Sequence, residues 1–234
     1  ISLLILSFYS IYYFFNFIVN PSFDLNFSID NLYFLKEYLN LYDFLKLIFE
    51  TIILSISATA ISISLPPFCL LIFNSSFSHN LIKSIGFCFR LIPPPIMILV
   101  LLMFNSPSIS LAALSLGLYN ASITNKLLTS NLNNINKDKL IAMNSISSSR
   151  RISWLIGLFS QQAKSYLIYC AYRSDIIIRE TAIIGIIGGI GLGWQLQESI
   201  SSFAWEEVAL ILFTYSSIAI IGELINGKIK ENFI

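Results

Sequence analysis

The fold turns on residues 172–193, YRSDIIIRETAIIGIIGGIGLG. Four charged side chains (Arg173, Asp175, Arg179, Glu180) precede five glycines (Gly185, Gly188, Gly189, Gly191, Gly193), with isoleucine filling many of the other places. A glycine run can cradle a phosphate, end a helix, or let helices approach closely in lipid. The phosphate reading fails on spacing. A dinucleotide fingerprint needs G-x-G-x-x-G, whereas Gly191-Leu192-Gly193 is followed by Trp194, Gln195 and Leu196. A P-loop needs Gly-Lys-Ser/Thr, and no Lys follows any of these glycines. No nucleotide and no other cofactor is expected in this chain.

Composition points to lipid instead. The 234 residues are 56% hydrophobic, 14% aromatic and only 12% charged. Soluble domains carry about 25% charged residues, so most of this surface is expected to meet membrane lipid. A net charge of +1 gives no footing for nucleic acid. Cys69, Cys88 and Cys170 sit singly in apolar runs and His79 is the only histidine. Neither a disulfide framework nor a metal site is suggested, and no catalytic constellation emerges.

A helix crosses the hydrocarbon core with about 20 mostly apolar residues. On that measure the chain reads as an all-α integral membrane protein of about six transmembrane helices. Residues 1–19 form the first, without the basic start or small-residue cleavage pattern of a signal peptide. The more polar segment 20–46 reads as an extracytoplasmic loop with a short amphipathic helix near Leu35–Leu45. Core crossings follow at Leu47–Phe73, Ile85–Phe104, Ile109–Leu128, Tyr166–Ile187 and Val208–Ile225. Pro66-Pro67 should kink or end the first of these; the next carries Arg90 and Pro93-Pro94-Pro95. Lys and Arg concentrate on the cytoplasmic side. With the N-terminus inside, Lys126, Lys137, Lys139, Arg150, Arg151 and Lys164 all fall there, and Lys36 and Lys46 outside. Both termini, including the tail 227–234, are therefore expected in the cytoplasm.

Two places could carry function. The inner loop 129–165 holds KDKLIAMNSISSSRRISWLIGLFSQQ, long and basic, with apolar spacing that suggests a short helix, a turn at Ser147–Ser149 and a second segment. Helix connections are commonly about 2–8 residues, so a linker role is a poor fit. It is either a helix on the anionic leaflet held by Arg150 and Arg151 or a docking surface for a cytoplasmic protein. The second place is YRSDIIIRE. Charges inside a membrane are costly and face a bundle interior or a wet path. Asp175 and Arg179 lie one turn apart in the favourable acid-first order. Arg173 and Glu180 share another face two turns apart, so each needs a partner elsewhere. A structural salt bridge and an anion path lined by arginine both remain open. The glycines then read as a helix end or re-entrant turn on the outer side, a hinge and close-packing element rather than firm helix.

Together these residues resemble the permease subunits of ABC importers, specifically the phosphonate permease family. The match is clearest over AYRSDIIIRETAIIGIIGGIGLGWQLQESI, where Arg173, Asp175, Arg179, Thr181, Gly185 and Gly188 fall on the family pattern and Gly189, Gly191 and Gly193 supply its glycine cluster. ETIILSISATAISISLPPFCLL and RLIPPPIMILVLL are similar to the family's first core helices, so the likeness spans about residues 47–226. It implies a type I ABC importer permease fold over that core. The inner loop should engage an ABC ATPase subunit through a motif of E-A-A, a following glycine and a later Leu-Pro. Here Ile141-Ala142-Met143 stands for E-A-A, Ser147 for the glycine and Phe159-Ser160 for Leu-Pro, while Ala142, Ser149, Arg150 and Gln161 fit and Arg151 adds charge. The resemblance further implies a homodimer in a bacterial cytoplasmic (inner) membrane, a separate ATPase chain, and a separate extracytoplasmic substrate-binding protein. The cargo would be phosphonate or a related phosphorus oxyanion, moved by alternating access. The alternatives are a permease for methionine or another small solute, an integral membrane enzyme acting on lipid, and a membrane scaffold.

Overall fold

A computed structural model describes residues 41–72, 76–133 and 160–233, and these residues form seven helices and no strand. In chain order they are α1 (Leu41–Ile72), α2 (Ser76–Leu91), α3 (Pro94–Leu102), α4 (Ile109–Asn133), α5 (Ser160–Gly188), α6 (Gly191–Ser201) and α7 (Trp205–Phe233). The span read at 1–19 and most of the loop read at 20–46 lie outside the described residues. Leu41–Lys46, read from sequence as the end of that loop, is instead the start of α1, with Asp43 complementing the helix N-terminus.

Helix α5 organises the bundle. It packs against α3, α4, α6 and α7, and α4 in turn meets α2 and α3. Leu54 and Ala58 of α1, Ile98 of α3, Leu116 of α4 and Ile177 and Ile184 of α5 close one apolar core. Lipid tails are as apolar as leucine, so close packing rather than water exclusion holds such helices together. Small residues supply the closeness. A Cβ on Gly117 of α4 would stand 2.7 Å from Ile61 Cβ and 3.2 Å from the Ala58 carbonyl of α1.

Among the described residues, Tyr42–Cys69 and Trp205–Lys228 are long and apolar enough to cross a membrane alone. Two bent pairs bring the number to four if each is one span: Ser84–Leu91 with Pro94–Leu102, bent by 93°, and Ser160–Gly188 with Gly191–Ser201, bent by 59°. The crossing read at Ile85–Phe104 is thus broken at Pro93. Ile92 is pushed out of the helical region by the proline that follows it, and α3 restarts from the Pro93 carbonyl, which accepts from Ile96 and Met97. Helix α4, read as a crossing over Ile109–Leu128, is not apolar enough to count by composition. Its burial explains this. Ser115, Asn120, Thr124 and Asn125 face neighbouring helices rather than the outside, and the side chains of Ser115, Asn120 and Thr124 bond to backbone carbonyls one turn back.

Of the two outcomes expected from sequence, a kink or an end, Pro66 and Pro67 do not end α1. Each proline removes the donor for the carbonyl four residues earlier, which frees Ser62 and Ile63. Both carbonyls are taken up from outside the helix. The Thr124 hydroxyl donates to Ser62 O at 3.0 Å and the Tyr166 hydroxyl to Ile63 O at 2.7 Å. Helices α4 and α5 thus supply the bonds that α1 cannot make, and α1 runs on to Ile72.

Candidate functional site

The charges of YRSDIIIRE sit on the middle of α5 and flank an uncovered strip. Tyr172, Arg179 and Ile183 are exposed along it, one or two turns apart. On the edge facing α7, Asp175 and Arg179 form the expected pair at 3.0 Å. Glu223 of α7 approaches Arg179 at 3.7 Å, and Ser174 donates to Asn226 of the same helix at 3.0 Å. The second oxygen of Asp175 is buried without a hydrogen-bond partner among the described residues.

The opposite edge supplies the partner that Arg173 and Glu180 lacked. Asn120 of α4 is fully buried, at 0% exposure. Its carbonyl oxygen accepts from Arg173 Nε, and its amide donates to Glu180 at 3.0 Å and to Leu116 O at 2.9 Å. The amide dipole is oriented by the two charges, oxygen toward the cation and nitrogen toward the anion. One neutral side chain therefore joins two ions that do not touch.

The glycines follow directly on this strip. Gly185 and Gly188 lie within α5 and Gly193 within α6, so the segment is firmer helix than five glycines suggested; the break is confined to Gly189 and Ile190. Left-handed backbone occurs at Gly189 (φ +66°) and Gly191 (φ +58°), conformations that a side chain makes strained. Gly185 and Gly193 have a different reason. A Cβ on Gly193 would stand 2.6 Å from the Ala182 carbonyl and 2.8 Å from Gly185 Cα, so the two helices meet backbone to backbone. The first amides of α6 are held by α1: Gly191 N donates to Glu50 at 3.3 Å and Leu192 N to Thr51 at 3.0 Å. A carboxylate already occupies the positive end of this helix, which leaves no cradle for a phosphate there.

Of the residues placed in the inner loop, Ala142, Ser147, Ser149, Arg150 and Arg151 lie outside the described residues. Gln161 lies in the first turn of α5. Sequence reasoning missed Asn120, Glu50, Thr51 and Glu223. Asn120 carried one signal: a primary amide within an apolar run is costly in lipid unless it is bonded.

No family profile matches the chain. Among solved structures it resembles an amino acid ABC transporter with histidines, with a TM-score of 0.64 at 17% identity over 83% of this chain and 98% of that one. It also resembles the MetNI methionine ABC transporter in inward-facing form, with a TM-score of 0.63 at 14% identity over 82% and 96%. The helices therefore carry the type I ABC importer permease fold. In sequence it is similar to permeases for phosphorus oxyanions. It is 25% identical over 121 residues to HtxE of Stutzerimonas stutzeri, assigned as the permease of a phosphite transport system, covering 52% of this chain and 46% of HtxE. It is 20% identical over 120 residues to the phosphite transport system permease protein PtxC of the same organism, covering 51% and 44%. PhnE2 of Escherichia coli (strain K12), assigned as the permease of a cryptic phosphonate transport system, is 20% identical over 122 residues, 52% of this chain and 99% of PhnE2. The chain spans about half the length of the two phosphite permeases. The family resemblance drawn from the Arg-Asp-Arg and glycine segment agrees with these relatives.

Proposed function

We propose that this chain is the membrane-spanning subunit of an ABC importer that moves phosphite, a phosphonate or a related phosphorus oxyanion by alternating access. The observation that carries the reading is the strip on α5. Arg173 and Arg179 border a partly uncovered face of a helix within a bundle of importer-permease fold, and the similar sequences belong to phosphite and phosphonate systems. Charged side chains at that place have no stable life against lipid. A second copy of the chain facing the strip would enclose it as a shared aqueous path, which is the argument for a homodimer.

In this scheme the chain performs no chemistry. A separate ATPase pair docks on the loop 129–165 through Ala142, Ser147, Ser149, Arg150, Arg151 and Gln161, and a separate extracytoplasmic protein delivers the anion. The domain order is that of the sequence reading: a first span at 1–19, a loop to 46, the core 47–226 and a tail 227–234. Both termini face the cytoplasm of a bacterial cell with this chain in its cytoplasmic membrane. The Gly185–Gly193 segment acts as the hinge of the outer end. Methionine transport shares only the fold-level likeness.

The test is ATP hydrolysis by the reconstituted complex of permease, ATPase and binding protein. Phosphite or methylphosphonate should stimulate hydrolysis and methionine should not. Stimulation by methionine alone would contradict the reading. Replacing Ala142 or Ser147 by glutamate should uncouple hydrolysis from the delivered anion while the chain still inserts in the membrane.

A further inference from the structure

The two arginines of the strip are not equivalent, and we infer that Arg173 alone contacts the transported anion, with Asn120 as the residue that positions it. This rests on the anion-importer reading above and goes on to assign its contact. Arg179 is already compensated. Asp175 holds it at 3.0 Å and Glu223 stands 3.7 Å away. An anion reaching Arg179 must displace one carboxylate and meet the repulsion of both. Arg173 has no carboxylate within ion-pair distance among the described residues, and its bond there is to the neutral Asn120 amide through Nε. That bond occupies the inner nitrogen of the guanidinium. The two outer nitrogens, which form the fork that grips an oxyanion in bidentate fashion, carry no bond to any described residue.

The arrangement holds the cation without neutralising it. Asn120 is fixed by burial and by its own bonds to Leu116 O and Glu180, so every polar group of its amide is engaged. Glu180 supplies a balancing negative charge but is kept off Arg173 by the intervening amide. Had Asn120 been an aspartate, Arg173 would be paired as Arg179 is, and the strip would have no free cation. A tetrahedral oxyanion with two oxygens to offer fits this fork; a zwitterionic amino acid, which brings its own ammonium, does not need it.

The experiment uses the full transporter reconstituted in proteoliposomes, with phosphite uptake measured against concentration. Asn120→Asp should raise the half-saturating phosphite concentration about tenfold or more while maximal uptake stays within about twofold, because a charge-assisted bond to the substrate is replaced by an internal one. Arg173→Ala should abolish saturable uptake and Arg173→Lys should restore part of it. The double variant Asp175→Ala/Arg179→Ala, which removes a compensated pair, should raise the half-saturating concentration less than Asn120→Asp does. In parallel, phenylglyoxal labelling of the purified chain, mapped by mass spectrometry, should show Arg173 protected by inorganic phosphite and Arg179 indifferent to it. Protection of Arg179, or an Asn120→Asp variant whose half-saturation is unchanged, overturns the assignment while leaving the importer reading intact. A parent complex that accumulates methionine and not phosphite overturns the importer reading itself, and this inference with it.

Discussion

Helix α1 contains two consecutive prolines and remains one helix, whereas the α5–α6 segment contains five glycines and breaks at a single point. Propensity alone would favour the reverse, since proline costs about 3 kcal/mol in a helix interior and glycine about 1. The neighbours decide. At Ser62 and Ile63 the orphaned carbonyls meet hydroxyls from α4 and α5. At Gly189 and Gly191 the chain turns through left-handed backbone, and α1 receives the new helix with Glu50 and Thr51. The three prolines at 93–95 complete the contrast: there the chain bends by 93°. In lipid, where no water stands in for a missing partner, an irregular backbone goes wherever side chains from other helices can satisfy it.

The comparison can be broken most forcefully at the glycine contact. Gly193→Val puts a branched side chain onto the Ala182 carbonyl and the Gly185 backbone, neither of which can move without separating α5 from α6. We expect a loss of about 3 kcal/mol in unfolding stability in detergent and loss of transport. The proline end gives the next effect. Tyr166→Phe leaves the Ile63 carbonyl without its partner, at a cost of about 1–3 kcal/mol. Adding Pro67→Ala should recover most of that loss, because alanine restores the backbone donor. The matching pair is Thr124→Val with Pro66→Ala. A double-mutant cycle with no coupling in either pair would show that the hydroxyls do not maintain α1. Gly189→Ala comes third. Its Cβ meets nothing nearer than 3.8 Å, so only the left-handed backbone is strained, at about 1–2 kcal/mol. Glu50→Gln is the smallest change, about 0.5 kcal/mol, since it removes charge at the α6 N-terminus but keeps an acceptor. Thermal unfolding of the purified variants in one detergent would rank all four, and a different order would mean that the contacts are weighted wrongly.

Local chemistry was legible in the sequence; contacts at long range were not. The Asp175–Arg179 pair follows from a spacing of four on one helix, and the turn near Gly189 follows from glycine density. The unmet need of Arg173 and Glu180 was also visible, but its solution lies 53 residues before Arg173, in a helix with no motif around Asn120. The continuity of α1 was left open for the same reason. Pro66-Pro67 announces a break locally, while the hydroxyl that prevents it at Ile63 comes from Tyr166, 103 residues away. Helix α4 was read as a crossing by its length, and its serines, threonines and asparagines suit a helix enclosed by others. Fold class came through because composition and the charged-glycine segment are collective signals. The site came through in part, because a buried amide between two ions leaves no periodic trace.

The central claim is that this chain, with an ATPase and a binding protein, imports a phosphorus oxyanion. The most direct measurement is phosphite accumulation in proteoliposomes holding the complete complex, followed by ³¹P NMR with and without ATP. The account predicts uptake against a gradient that requires ATP and is abolished by Arg173→Ala. Uptake that is indifferent to ATP, or accumulation of methionine with none of phosphite, would contradict it.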